Sequence, residues 1–458
     1  MPDTNIPKGW KMTTLGEAAE LSKSQWSPGN QDYKYIGLEH INQDDLTING
    51  FGFSSKLESN KFYFKKNDVL FGKLRPYFRK VWKAKFDGVC STDIWVIHAK
   101  EGNSQDFIFY FFANPEIVNK STDASIGTRM PRADWRYLRN LEYSFPPLLE
   151  QRAIAAALSS LDDKIELLRE QNKTLEAIAQ AVYKQWFVDF EFPDEHSNPY
   201  KSSGGKMVKS ELGDIPEVWR VGYLGDNIIA SLLKTGIDNF EGEKIYLDTA
   251  SVQGSNIVDL KNKIIFRQRP SRANMQPKIN SIWFAKMKNS KKALFFDIYS
   301  EWELDNFILS TGFAGLDVKG YALYYLWNFI ISDRFELEKD NFCNGTTMQA
   351  INNENIQKMK ILIPAEEILI LFSNIVRPLY QKVHLNWMSI QILSALRDSL
   401  LPKLISGKIR VPTTPSAFGC HPSLKRRGVG HTKDGVVSLT VEKLGVSGLI
   451  SEKEGSNK

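Results

Sequence analysis

Cysteine is scarce: Cys90, Cys343 and Cys420 are the three in 458 residues, and they lie far apart. They make neither a metal-ligand cluster nor a disulfide framework, so a reducing cytoplasm is the expected setting. The six histidines show no HExxH or comparable spacing. A GxxxxGK loop for a nucleoside triphosphate is missing as well. No run is long and apolar enough to span a bilayer, and the polar start MPDTNIPKGW carries no signal peptide, so no membrane partner is expected. Charge of neither sign dominates. A net charge of +6 permits a nucleic-acid partner without demanding one. The hydrophobic content of 42% and charged content of 24% are those of a globular protein, and the length allows two or three domains.

What the chain does have is a repeat. GTRMPRADWRYLRNLEYSFPP (127–147) returns as GTTMQAINNENIQKMKILIPA (345–365), at an offset of 345 − 127 = 218. Thr128/Thr346, Met130/Met348, Leu138/Ile356 and Pro146/Pro364 keep register, whereas Arg129, Arg132, Arg136 and Arg139 face Thr347, Ala350, Glu354 and Gln357. IPKGWKMTTLGEAAE (6–20) matches IPEVWRVGYLGDNII (215–229), with the tryptophans 219 − 10 = 209 apart. NDVLFGKLR (67–75) matches NSIWFAKMK (280–288), with the lysines 286 − 73 = 213 apart. A rising offset means loops of different length in one frame, hence a tandem duplication of a unit of roughly 200 residues. A kept frame with an exchanged surface points to two readers of related but different targets.

Each copy has two parts. YKYIGL, KFYFKK and DIWVIHA, set among turn residues, read as strands. Helical patches such as DFIFYFFANPEIVNK complete an α+β globular domain. Residues 148–190 then contain no proline or glycine, and Ile154, Leu158, Leu161, Ile165, Leu168, Asn172, Leu175, Ala179, Val182 and Trp186 recur at alternating steps of four and three. The second copy repeats this seam from Phe372 through Asn386 to Leu404. The pattern predicts two long helices paired as a coiled coil; the alternative is that each packs only on its own domain.

The two seam asparagines choose a direction. Antiparallel pairing sets Asn172 on Asn386, Leu168 on Ile390, Trp186 on Phe372 and Ala179 on Leu379. Parallel pairing would strand both amides, at roughly 1–3 kcal/mol each. One layer puts Leu161 against Arg397, whose stem is expected to pack while its head reaches solvent. Helices of about 40 residues are ~60 Å long. They are expected to set the two domains at opposite ends about a pseudo-two-fold axis, suiting major-groove faces ~34 Å apart.

Candidate nucleic-acid contacts fall at matching places. Pro131 suits a first helical turn. A helix over 131–139 would carry Arg132, Arg136 and Arg139 on one face and Trp135 and Leu138 on the other, with Arg129 in the loop before it. Guanidinium groups grip phosphate and can read guanine edges; a solvated surface face explains the charge spacing equally well. Lys73, Arg75, Arg79 and Lys80 follow the DVLF strand. Lys286, Lys288, Lys291 and Lys292 do the same in the second copy, preceded by Arg267, Arg269 and Arg272. Lys73 and Lys286 are expected on phosphate, and Arg129–Arg139 with Thr346, Thr347 and Gln349 are expected to include base contacts. SNPYK (197–201) has one proline too few for an adenine-methyltransferase pocket and reads as a turn, and LDDK (161–164) as solvated helix surface. No catalytic residue and no metal site emerges.

In order, and twice, IPKGW…LG and GDIPEVW…LG, DVLFGKLRPY, GT-M followed by PPLLEQRAI, and LDDKIELLREQNKTLEAIAQAVYKQWFVDFEFP resemble the specificity subunit of type I restriction–modification systems, over about residues 6–410. The resemblance implies two target-recognition domains, each binding half of a bipartite, asymmetric double-stranded DNA sequence. It implies spacer helices that dock two methyltransferase subunits, with two restriction (motor-nuclease) subunits completing the complex. The chain itself would catalyse nothing and hold no cofactor; S-adenosylmethionine, ATP and Mg belong to the partners. The expected layout is a first recognition domain over 1–147, a spacer helix over 148–192 and a linker over 193–210. A second recognition domain over 211–365, a spacer helix over 366–410 and a disordered tail over 411–458 follow. The competing readings are a stand-alone DNA methyltransferase or nuclease, and a coiled-coil adaptor that binds no DNA.

Overall fold

The computed structural model describes residues 6–22, 24–29, 31–127, 129–345 and 349–412. From residue 413 on, the expected tail lies outside the described residues. Among these, 6–168 with 388–412 form one compact unit and 169–387 the other.

In the first unit Lys11–Thr14 pairs antiparallel with Glu142–Phe145, closing the domain's two chain ends on each other. A four-stranded sheet runs in the order Ala19–Leu21, Ile94–Ala99, Val69–Gly72, Val81–Lys83. A second sheet runs Gln25–Trp26, Lys61–Phe64, Gly88–Cys90, Lys34–Ile36, Gly52–Phe53, with Tyr35 and Val89 in a parallel pair. DFIFYFFANPEIVNK forms two helices, Gln105–Ala113 and Pro115–Asp123. They break at Asn114 because proline disfavours α geometry in the residue before it, and the Asn114 side chain then caps the second helix. Phe107, Phe111 and Phe112 pack with Leu15, Phe71 and Ile97. Ile154 and Leu158 of the first long helix, with Leu401 and Leu404 of the second, complete that core.

The second unit repeats this plan. Arg220–Tyr223 pairs with Lys360–Ile363. One sheet runs Ala230–Leu232, Phe313–Val318, Ser281–Ala285, Ala293–Phe296. The other runs Lys263–Ile264, Lys244–Leu247, Phe307–Ser310, Ala273–Met275, again with a parallel pair, Ile245 on Phe307. Ser332, 218 positions after Asn114, caps the helix Asp333–Asn341. The expected linker is partly ordered as a hairpin of Met207–Ser210 with Gly213–Pro216.

The long helices span Leu148–Phe187 and Glu366–Ile405, 40 residues each, and end five residues short of the expected limits. Within each unit their segments run antiparallel. In the second unit Asn386 Nδ2 donates to Asn172 Oδ1 at 2.8 Å, and the Trp186 and Phe372 rings lie 5.9 Å apart. In the first, Ile165 and Leu168 pack on Ile390 and Leu393. The expectation for Arg397 is overturned. Its head is buried, donating to Asp162 (2.9 Å) and Asp398 (3.1 Å). Asp162, expected to be plain solvated surface, also accepts from the Tyr110 hydroxyl at 2.7 Å. Two carboxylates within reach offset the cost of burying the guanidinium, which a single leucine opposite it could not.

Candidate nucleic-acid interface

The two sequence features that recur, the lysine after the buried strand and the Gly-Thr loop, meet in space within each unit. In the first, Arg75 N donates to Pro131 O (2.8 Å) and Ala133 N to Lys73 O (2.9 Å). In the second, Lys288 N donates to Gln349 O and Ile351 N to Lys286 O, both at 2.9 Å. These are the same two bonds at equivalent positions, 75/288 and 73/286 on one side, 131/349 and 133/351 on the other. The loop closes on itself alike: Arg132 brackets Ile126, and Ala350 brackets Asn344. These bonds run between backbone groups, so this part of the pinning does not depend on the side chains that are exchanged.

This pinning corrects the expected helix over 131–139. Pro131–Ala133 is engaged in bridges to the strand end, and helix begins only at Trp135, capped by Asp134. Arg129, Arg132, Arg136 and Arg139 are all exposed. Arg132 Nε and Nη2 lie 2.9 and 3.3 Å from the Asp93 carboxylate, and Arg136 folds back on Asp134, Nη2 to Oδ2 at 2.9 Å. These contacts favour the charged arginines and hold the Asp134 carboxyl below its ordinary range. Both acids were missed by a search for basic residues alone. Lys73 is half-buried, and Arg75 is exposed in a left-handed turn at φ 50°.

Two basic residues in this group do structural work instead. Arg79 is buried, with Nε on Ala113 O (2.7 Å) and Nη2 on Asp398 (3.2 Å). Lys80 Nζ donates to Leu38 O at 2.6 Å, and burial lowers its pKa. The Arg79 head is therefore withdrawn from a nucleic acid, whereas Lys80 is half-buried with one bond from its ammonium group.

In the second unit Arg267, Arg272, Lys288 and Gln349 are exposed. Lys286 is half-buried; desolvation, then the charge of Arg272, lower its pKa. Arg269 lies over the Phe266 ring at 4.2 Å and donates to Phe266 O. Lys291 pairs with exposed Asp333 at 2.5 Å. Lys292 is half-buried, and its Nζ donates to Thr249 O at 2.5 Å. Thr346 and Thr347 lie outside the described residues. No helix among the described residues is long and apolar enough to cross a membrane.

The model of the type I restriction modification DNA specificity domain family matches residues 7–177. The MjaIX type I restriction enzyme specificity subunit of Methanocaldococcus jannaschii is 27% identical over 428 residues, 89% of this chain and 95% of that protein. The HindI specificity subunit of Haemophilus influenzae is 25% identical over 466 residues, 87% of this chain and 99% of that protein. Among solved structures, the type I S subunit from M. genitalium is 18% identical with a TM-score of 0.47, covering 88% of this chain and 97% of that one. HsdS of Thermoanaerobacter tengcongensis is 19% identical with a TM-score of 0.36, covering 89% and 99%.

Proposed function

We propose that this chain is the sequence-reading, non-catalytic subunit of a type I restriction–modification complex, a reading supported by the specificity-domain match over residues 7–177 and by the likeness to the MjaIX and HindI specificity subunits over most of its length. Residues 1–147 and 211–365 are its two recognition domains, each taking one half of a bipartite, asymmetric duplex target. The long helices space them and dock two methyltransferase and two restriction subunits. S-adenosylmethionine, ATP and Mg are held by those partners.

The observation that carries this reading is the loop pinned by the same backbone bonds in both units while its side chains differ. A conserved frame keeps position on the duplex; exchanged side chains give each half its own sequence. In this reading Lys73 and Lys286 hold phosphate beside Arg75 and Lys288. Arg129, Arg132, Arg136 and Arg139 face one half-site, with Gln349, Thr346 and Thr347 facing the other. Arg267, Arg269, Arg272 and Lys291 form the outer basic rim of the second domain.

The test is methyl transfer from labelled S-adenosylmethionine to duplex DNA. The expected result is transfer only when this chain and a methyltransferase subunit are mixed, at sites with two defined halves. Transfer by the chain alone, or transfer indifferent to sequence, overturns the proposal.

A further inference from the structure

Arg132 and Asp93 stand 39 positions apart in sequence and meet as a bidentate pair at the pinned loop. Their counterparts in the second unit are Ala350 and Gly312. Lys73 N donates to Asp93 O as Lys286 N does to Gly312 O, both at 2.9 Å, and Arg132 brackets Ile126 as Ala350 brackets Asn344. Both partners are therefore absent together from a loop held by the same backbone bonds. The pair is not what shapes the loop. Nor is an exposed ion pair, here with the Arg132 side chain 44% accessible, a large source of stability.

Its geometry suits another task. A guanidinium has five N–H donors. Asp93 engages Nε–H and one Nη2–H along one edge. Among the described residues nothing takes the other edge, Nη1–H beside the second Nη2–H, a two-pronged fork in a fixed orientation. Two parallel donors match two adjacent acceptors, and guanine O6 and N7 are that pair on the major-groove edge. Phosphate fits less well, because the Asp93 carboxylate repels an anion brought to the same guanidinium. Leu74 pairs with Arg132, so exposed Arg75 emerges next to it, with no carboxylate on it among the described residues, in the place for a backbone contact.

We propose that Arg132 reads one guanine in the half-site of the first domain, with Asp93 as its positioning residue. The second domain lacks this contact. The assignment rests on the proposed function above.

The test uses the full chain assembled with its methyltransferase partner. Methylation rates are measured on the duplex target and on every single-base variant of it. Arg132→Ala and Arg132→Lys should each cost about tenfold to a hundredfold in discrimination at one guanine of one half-site, with the other positions unchanged. Lysine keeps the charge and the fold but not the fork. Asp93→Ala should weaken discrimination at that same guanine and nowhere else, which a merely structural residue would not do. The assignment is overturned if Arg132→Lys retains full discrimination, if Arg132→Ala slows all sequences equally, or if Asp93→Ala acts at a different position. Those outcomes leave the specificity-subunit reading intact. A wild-type assembly with no sequence-selective methylation overturns that reading, and the guanine assignment with it.

Discussion

Asn386 Nδ2 donates to Asn172 Oδ1 at 2.8 Å between the two long helices, and Asn386 is 1% exposed. Its other contact is a 3.5 Å approach to Gln171 Oε1. Replacing Asn172 alone by leucine leaves a buried amide short of its acceptor, a loss of about 1–3 kcal/mol. Replacing both asparagines should cost less than the sum of the single losses, since no polar group is then stranded. Urea unfolding of the four proteins of the double-mutant cycle measures this; strictly additive losses would mean the two amides do not cooperate.

Arg397→Met should destabilise by about 2–3 kcal/mol, at or below the low end for a broken buried pair because Asp162 is 24% accessible. The loss reflects Asp162 left with Tyr110 as its remaining donor in a half-buried place. A change within about 0.5 kcal/mol by chemical denaturation would show that the guanidinium contributes nothing net.

Glu303 gives the second unit a pH dependence. Burial, reinforced by Asp297, pushes its carboxyl up to about 7, and Oε2 has no partner among the described residues. The folded chain therefore holds this proton between pH 4.5 and about 7 while the unfolded chain releases it, and stability falls as pH rises through that window. His384, whose Nδ1 lies 3.4 Å from Oε1, has its pKa lowered by burial. It acts in the opposite sense, gaining stability as pH rises through its unfolded value, so the carboxylate is best isolated by substitution. Glu303→Gln should raise the melting temperature relative to wild type more at pH 8 than at pH 5. An equal difference at both pH values would refute the assignment.

Lys73→Ala should reduce the slope of log affinity against log salt by ~0.9, the release of about one counterion. Arg79→Ala should leave that slope alone and lower thermal stability instead, because its bonds run to Ala113 O and Asp398. Titration of duplex binding at several salt concentrations, with a melt of each variant, separates the two. A slope change for Arg79→Ala would place its head outside the fold.

Those two basic residues mark the boundary of what sequence could disclose. The duplication and the long helices were legible because hydrophobic period and equal offsets are properties of the chain alone. The meeting of Asn172 with Asn386 followed from antiparallel register. Sheet order was not legible: several strands are two to four residues long, too short for alternation to declare a partner. The helix expected from Pro131 failed because pairing of Pro131–Ala133 with the strand end outweighed local propensity. Arg79 looked like surface charge, since the Ala113 carbonyl and the Asp398 carboxylate that hold it come from distant segments. Arg397 misled for the same reason, as only the folded seam brings Asp162 to it.

Main-chain attachment of the Gly-Thr loop has an evolutionary corollary. Substitution at 129, 136 or 139, or at 354 or 357, alters what the surface says without touching what holds it up, since those side chains are exposed and the bonds at 73, 75, 286 and 288 belong to peptide groups. If these side chains read the target as proposed, a lineage can drift to new targets one side chain at a time through folded intermediates, and a randomised library at these positions should yield mostly well-expressed proteins that differ in the DNA they choose.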